Sequence, residues 1–318
     1  MIVFKKIAFL LLSVLVILFF LDKAYVFLLY QNKNIKSSFI LDEEINAKLL
    51  IAGPCEPFWM INPSQLDTIT NLESYNLALS HSNFADNLLH LHLYLKNNKP
   101  PEYILLYVTP ESMDERYNTF NTYRFAHLLS DTLVNKIVKE FDPNYHKWTH
   151  FPFMSYGYYS NLTNFKAIQG LKHYLTNRNL PKYANGYQPP IAQDWHYQME
   201  DFIDLYPDQV KFEWSDRREK YLKKFIELAR AHKITMLFYE SPVFEPAKPH
   251  QVNRYEILDR IQKLADQNQI PFLLFDNMEM AKDQSNFFST LNTTVKGSKI
   301  FTDSLGVRLA KEYLFESY

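Results

Sequence analysis

The chain has a single cysteine, Cys55, and only six glycines among its 318 residues. One thiol cannot close an internal disulfide, and it cannot assemble a thiolate zinc cluster or an iron–sulfur site. Neither a Gly-x-Gly-x-x-Gly fingerprint nor a Walker-type loop occurs, which leaves little scope for a phosphate-cradling turn. Charge of one sign is lacking as well. The net charge is −1, charged residues make up 22%, and no long run of either sign appears. The sequence therefore carries no electrostatic footprint for nucleic acid. His90 and His92 stand two apart on a helical pattern, point to different faces, and cannot form an i, i+4 metal pair. No metal and no cofactor is expected.

Apolar residues are abundant. Hydrophobic content of 47% and aromatic content of 16% can fill the core of one large or two ordinary domains. Near the start, Lys5 and Lys6 precede fifteen uncharged, mainly apolar residues from Ile7 to Leu21, and Ala24–Tyr30 is apolar again after Asp22 and Lys23. Fifteen residues fall short of the roughly 20 that span hydrocarbon. Snorkelling lysines, or one helix running on to Tyr30, make up the difference. No small-residue cleavage site follows the apolar run and no cysteine lies just behind it, so an uncleaved anchor is expected. Lys23, Lys33 and Lys36 nearly balance Lys5 and Lys6, so the positive-inside rule discriminates weakly. The short head before the run resembles a signal-anchor, with the body outside the cytoplasm.

After a polar spacer over residues 31–44, short apolar runs alternate with helical patterns, as in a parallel sheet with crossover helices. Candidate strands are Lys48–Ala52, Tyr75–Leu79, Tyr103–Val108, Ile234–Tyr239 and Phe272–Phe275, continuous apolar runs suited to a sheet covered on both faces. Helical periodicity marks Asn83–Leu95, Arg218–His232, Asn253–Gln267 and a segment following Gly297. Residues 111–217, rich in Tyr, Phe, Asn and Pro, break the alternation. A structureless loop of that length is implausible, so this stretch is expected to be an inserted helical cap, with a helical piece near Phe125–Phe141. The expected organisation is an anchor over 1–30, a spacer over 31–44, a core in two parts over 45–110 and 218–318, and the cap between them. The fold class is α/β: a three-layer α/β/α sandwich on a mainly parallel five-stranded sheet.

Three stretches suggest a family. They are Ile51-Ala52-Gly53-Pro54-Cys55 with Ile61-Asn62-Pro63, then Tyr75–Ser82, then Thr290-Leu291-Asn292 with Gly297 and Phe301. Their order resembles the SGNH (GDSL-like) hydrolases, particularly membrane-anchored bacterial members associated with O-acylation of envelope polysaccharide. The resemblance covers the core and not the cap. It implies a nucleophilic serine after the first strand, oxyanion donors on the next two loops and an Asp-x-x-His pair near the C-terminus. A hydroxyl attacks only when an imidazole takes its proton, a carboxylate orients that imidazole, and fixed donors stabilise the oxyanion. Each of these addresses is altered. Cys55 stands for the serine, His81 for the second-block glycine, Thr109 near the third-block asparagine, Phe287 for the acid and Thr290 for the histidine. Asn292 and Gly297 remain, suited to organising the turn into the last helix.

Cysteine can serve as a nucleophile, since its ordinary pKa is about 8.5. With strands one and two adjacent, His81 would emerge at the same edge as Cys55, so Cys55 and His81 are the candidate catalytic pair. The competing reading makes Cys55 a small buried strand cap and His81 a loop residue. Asn76, Thr109, Ser241, Thr290 and Asn292 are the candidate lining of the inherited pocket. Ser241 is of interest because it follows Glu240 at the fourth strand's exit, although Ser-Pro also suits a turn. His146, His150 and His196 lie among cap aromatics, which could line a carbohydrate or lipid groove or form the cap's own core. The favoured expectation is a membrane-anchored, catalytically degenerate SGNH-like protein of the bacterial envelope, with its domain periplasmic or extracytoplasmic, binding a partner protein or a glycan. Its expected partners are the membrane, a membrane-bound acyltransferase or envelope polysaccharide. The alternative is an active acyl esterase or O-acyltransferase with Cys55 as nucleophile.

Overall fold

A computed structural model describes residues 2–117, 119–150, 161–176, 184–190 and 209–314. The chain divides into two compact units. One combines residues up to Glu43 with a segment that begins at Asn121, and the other combines Glu44–Phe120 with the C-terminal part.

The second unit is built on a five-stranded sheet with β1 (Leu49–Ala52), β2 (Ser74–Asn76), β3 (Tyr103–Tyr107), β4 (Thr235–Glu240) and β5 (Phe272–Leu274). All four pairings are parallel and the spatial order is β2-β1-β3-β4-β5. All five expected strands form. β1 is Leu-Leu-Ile-Ala and buried throughout, as a strand covered on both faces must be. β2 is shorter than its apolar run. Beyond Asn76 the backbone still follows β1, with Leu77 N–H donating to Ile51 O and Leu79 N–H to Gly53 O. That alignment carries the chain to the same end of the sheet as Cys55.

Side chains alternate across the sheet with period two. Leu49, Ile51, Leu105, Tyr107, Leu237, Tyr239 and Leu273 share one cluster with Phe301, Leu305 and Leu309 from the helix Val295–Leu309. That helix also packs on Pro63–Thr70. The opposite layer comes from the crossovers after β2, β3 and β4, which right-handed connection places on the other face: the helices Phe84–Asn97, Asp216–Ala231 and Arg254–Gln267. The first two pack on each other. The result is a three-layer α/β/α sandwich. Gly297, expected just before the last helix, lies inside it. Thr294 is the actual cap, its hydroxyl accepting from Gly297 N–H at 3.3 Å.

In the other unit, Ile2–Tyr30 is one continuous helix; its 29 residues extend about 43 Å at 1.5 Å per residue. It is long and apolar enough to cross a membrane, and its most apolar stretch is not buried inside the protein. The interruption at Asp22-Lys23 does not break it. The expected spacer carries a short helix, Lys36–Asp42. The described residues from Asn121 onward are helical at Thr132–Phe141, Tyr145–His150 and Asn161–Thr176. Ser37 donates to Arg124 O at 2.5 Å, and the Ser38 hydroxyl lies 2.7 Å from His127 Nε2. Burial pushes His127 down to about 3, so it is a neutral structural histidine. Of the aromatic-rich residues, His196 and the side chain of His150 lie outside the described residues.

Candidate functional site at the carboxyl edge of the sheet

In the order β2-β1-β3-β4-β5 the chain leaves β1 toward one side of the sheet and β3 toward the other. Their crossovers run over opposite faces, and the crevice between them at the carboxyl ends of β1 and β3 is where such sheets bind ligands. The residues delivered there are Gly53–Glu56 after β1 and Thr109–Ser112 after β3.

Gly53 makes the turn possible. Its φ is +149°, and a Cβ there would sit 2.7 Å from both Pro57 Cγ and Tyr107 Cβ. Its N–H donates to Asn87 Oδ1 at 3.1 Å, and its carbonyl accepts from the Ser82 hydroxyl at 2.9 Å. The exit of β1 is thus tied to the start of the helix Phe84–Asn97. Asn83 caps that helix in a reciprocal capping box with Asp86.

Cys55 is the first residue of the short helix Cys55–Met60 and is 8% exposed. Its Sγ accepts the backbone N–H of His81 at 3.0 Å and lies 3.4 Å from the Ser80 hydroxyl. His81 has φ +52°, a turned conformation that aims its N–H at the sulfur while the residue remains exposed. The two candidate catalytic residues therefore meet through a backbone donor.

The five candidate lining residues are committed to local structure. Asn76 is fully buried; its Nδ2 donates to Pro57 O at 2.7 Å and Ile61 O at 3.1 Å, and its Oδ1 accepts from Ala78 N–H. It braces the turn that carries Cys55. Thr109 caps the short helix Pro110–Met113 through Ser112. The Ser241 hydroxyl lies 3.0 Å from Tyr107 Oη. Thr290 offers its carbonyl to Phe244 N–H at 3.0 Å. Asn292 closes a turn on Ser289. Phe287, at the expected acid's address, is fully buried and packs on Phe244 with ring centroids 5.7 Å apart. Trp59 reaches this C-terminal loop, its ring 6.0 Å from that of Phe288.

The same edge holds a buried charged network that the sequence reading did not assemble. Glu56 follows Cys55, Glu111 follows β3, Glu240 ends β4 and Asp276 follows β5. Arg254 is fully buried and donates to Glu240 at 2.6 Å, to Asp276 at 3.3 Å and to Gln251 at 2.9 Å. Gln251 in turn donates to Glu111 at 3.2 Å. Lys248 pairs with Asp276 at 3.0 Å. Burial would raise Asp276, but Lys248, Arg254 and Tyr255 together hold its carboxyl below the usual range. Burial pushes Glu240 up to about 8 against the pull of Arg254, with Glu111 and Asp276 adding to the rise. Burial and the nearby Glu111 push Glu56 to about 7, opposed by its backbone hydrogen bond. Glu56 Oε2 and Glu240 Oε2 have no hydrogen-bond partner. A legible signal existed: acidic residues recur just where strands end. Among the described residues, no group of three or more His, Cys, Asp and Glu side chains is placed to hold a metal ion.

No protein-family profile and no curated protein sequence matches the chain. Matches among solved structures include two from Bacteroides. One is a candidate acylhydrolase of Bacteroides fragilis NCTC 9343, 9% identical, covering 83% of this chain and 88% of that one with a TM-score of 0.34. The other is a GDSL-like lipase of Bacteroides thetaiotaomicron VPI-5482, 10% identical, covering 87% and 98% with a TM-score of 0.38. The fold assignment rests on the chain's own sheet order and layers.

Proposed function

We propose that the protein is a membrane-anchored, catalytically degenerate SGNH-hydrolase-like protein of the bacterial cell envelope. In this reading the helix Ile2–Tyr30 anchors it, its domain lies outside the cytoplasm, and the carboxyl edge of the sheet binds a partner protein or a glycan. The observation that carries the reading is the C-terminal loop. Phe287 is spent on the core and Thr290 on a backbone brace, so the loop that would supply an acid and a base is a packing element. The test is an acetyl-ester hydrolysis assay on the purified full-length chain. Background rates in both the parent and Cys55→Ala support the reading; enzymatic turnover lost in Cys55→Ala overturns it. Binding to a membrane-bound acyltransferase or to envelope polysaccharide would name the partner.

One observation favours the alternative, an acyl esterase or O-acyltransferase acting through Cys55. A backbone N–H at 3.0 Å from Sγ stabilises a thiolate more than a thiol. The rate of Cys55 alkylation against pH separates the readings. A thiol that reacts fast well below its ordinary pKa supports the enzyme, and one that is inert in the folded protein excludes it.

A further inference from the structure

The helix Asn161–Thr176 has apolar residues on two sides. One side meets the last turns of the long N-terminal helix. Tyr25 Oη donates to Asn164 Oδ1 at 3.0 Å, Asn32 Nδ2 donates to Lys166 O at 2.7 Å, and Phe27 and Tyr174 pack edge to face with centroids 5.3 Å apart. Asn164 thus reaches Tyr25 while Lys166, only two residues on, reaches Asn32. The two helices cross rather than run alongside each other. The crossing point is Gly170, where a Cβ would lie 1.7 Å from Leu28 O. Backbones approach this closely only over a glycine, a mode of packing common between helices in lipid.

Among the described residues, the other side is exposed. Phe165 is 55% exposed, Ile168 65%, Leu171 42% and Leu175 71%. Ile168, Leu171 and Leu175 follow i, i+3, i+7, and Phe165 lies one turn earlier, so the four occupy one sector of the helix, with Lys172 between Phe165 and Ile168 and Asn164, the residue bonded to Tyr25, near its Leu171 edge. A face of this kind on a soluble surface would be a liability. Here it is continuous with the exposed apolar surface of Ile2–Tyr30, which reaches Phe27 at 44% exposure. The contact residues Tyr25, Phe27 and Leu28 lie at the far end of that helix and Asn32 in the turn just after it, past the roughly 20 residues that fill the hydrocarbon. The crossing helix therefore sits at the depth of a membrane–water boundary. It carries Lys166 and Lys172 and no acidic residue, basic side chains long enough to snorkel toward anionic headgroups.

We propose that Asn161–Thr176 is a lipid-facing interfacial helix, locked across the end of the membrane span at Gly170, with Phe165, Ile168, Leu171 and Leu175 inserted beneath the headgroups of the bilayer. This rests on the reading of Ile2–Tyr30 as a membrane anchor. It adds a second membrane contact, which fixes how the anchor emerges from the bilayer, whereas a single span leaves rotation and tilt free.

The test uses the full-length protein in vesicles of phosphatidylcholine and phosphatidylglycerol. Spin labels are placed singly at Ile168→Cys, Leu175→Cys, Leu12→Cys and Lys223→Cys in a Cys55→Ser background. Collision with oxygen, which concentrates in lipid, is compared with collision with a water-soluble nickel chelate. Labels at 168 and 175 should show an oxygen-to-chelate ratio several-fold above that at 223 and approaching that at 12. Labels at 168 and 175 that behave like 223 while 12 remains lipid-exposed overturn the interfacial helix and leave the anchor standing. A water-exposed label at 12 overturns the anchor reading itself. Protection of 168 from both reagents, or dipolar broadening that vanishes on dilution with unlabelled protein, places a protein partner or a second copy on this face and overturns the proposal.

Discussion

Glu56 is the residue whose position is hardest to reconcile with packing alone. It is buried beside the Cys55 turn with Oε2 unsatisfied, and its carboxyl titrates near 7 rather than near 4.5. Between those values the folded state holds a proton that the unfolded chain has released, so stability falls as pH rises through the window. Above pH 7 the full cost is about 3 kcal/mol. Glu56→Gln stays neutral throughout. It should match the parent below pH 4.5 and exceed it by up to about 3 kcal/mol above pH 7, as read from denaturant midpoints across the range. Equal pH profiles for the two proteins would show that Glu56 is solvated or paired. The acidic residue was plain in the sequence beside Cys55, but its burial was not. A Glu next to a turn is ordinarily exposed, and only tertiary packing, which places it within electrostatic reach of Tyr107 and Tyr239, decides otherwise.

At the scale of elements, the helix Phe84–Asn97 shows how local chemistry positions the edge. Asn83 accepts from Ala85 N–H at 2.8 Å and Asp86 N–H at 3.2 Å, while Asp86 accepts from Asn83 N–H at 3.0 Å. The same turn holds Ser82 and Asn87 on Gly53. Asn83→Ala should destabilise the protein by about 1 kcal/mol through loss of the cap, measured by equilibrium unfolding. It should also speed Cys55 alkylation, because the loop that presents His81 N–H to the sulfur loses its anchor. An unchanged alkylation rate would mean that the loop is held independently of the helix. Periodicity located this helix, and the capping pair Asn83 and Asp86 is visible in the sequence. The cross-ties to Gly53 join residues about thirty positions apart, and no periodicity encodes them.

For the whole molecule, the N-terminal helix is long and apolar enough to cross a membrane. Deleting residues 1–30 should move the protein from a carbonate-resistant membrane fraction to the soluble fraction if this helix is the sole anchor. Partial retention of the truncated chain on anionic vesicles is the expected contribution of Phe165, Ile168 and their neighbours, and loss of all membrane affinity would count against a second contact. The long apolar run, the five short buried strands and the alternation with helices were all settled by the order of residues, because periodicity and hydrophobicity act locally and leave their mark in the sequence. The sheet order, which makes the end of β1 and β3 a crevice, was decided by tertiary structure. So was the assembly of Glu111, Glu240 and Asp276 around one arginine, with Glu56 buried near Glu111, and the crossing at Gly170. In each case the deciding force is close packing or charge pairing between residues far apart in the chain, which local pattern cannot specify.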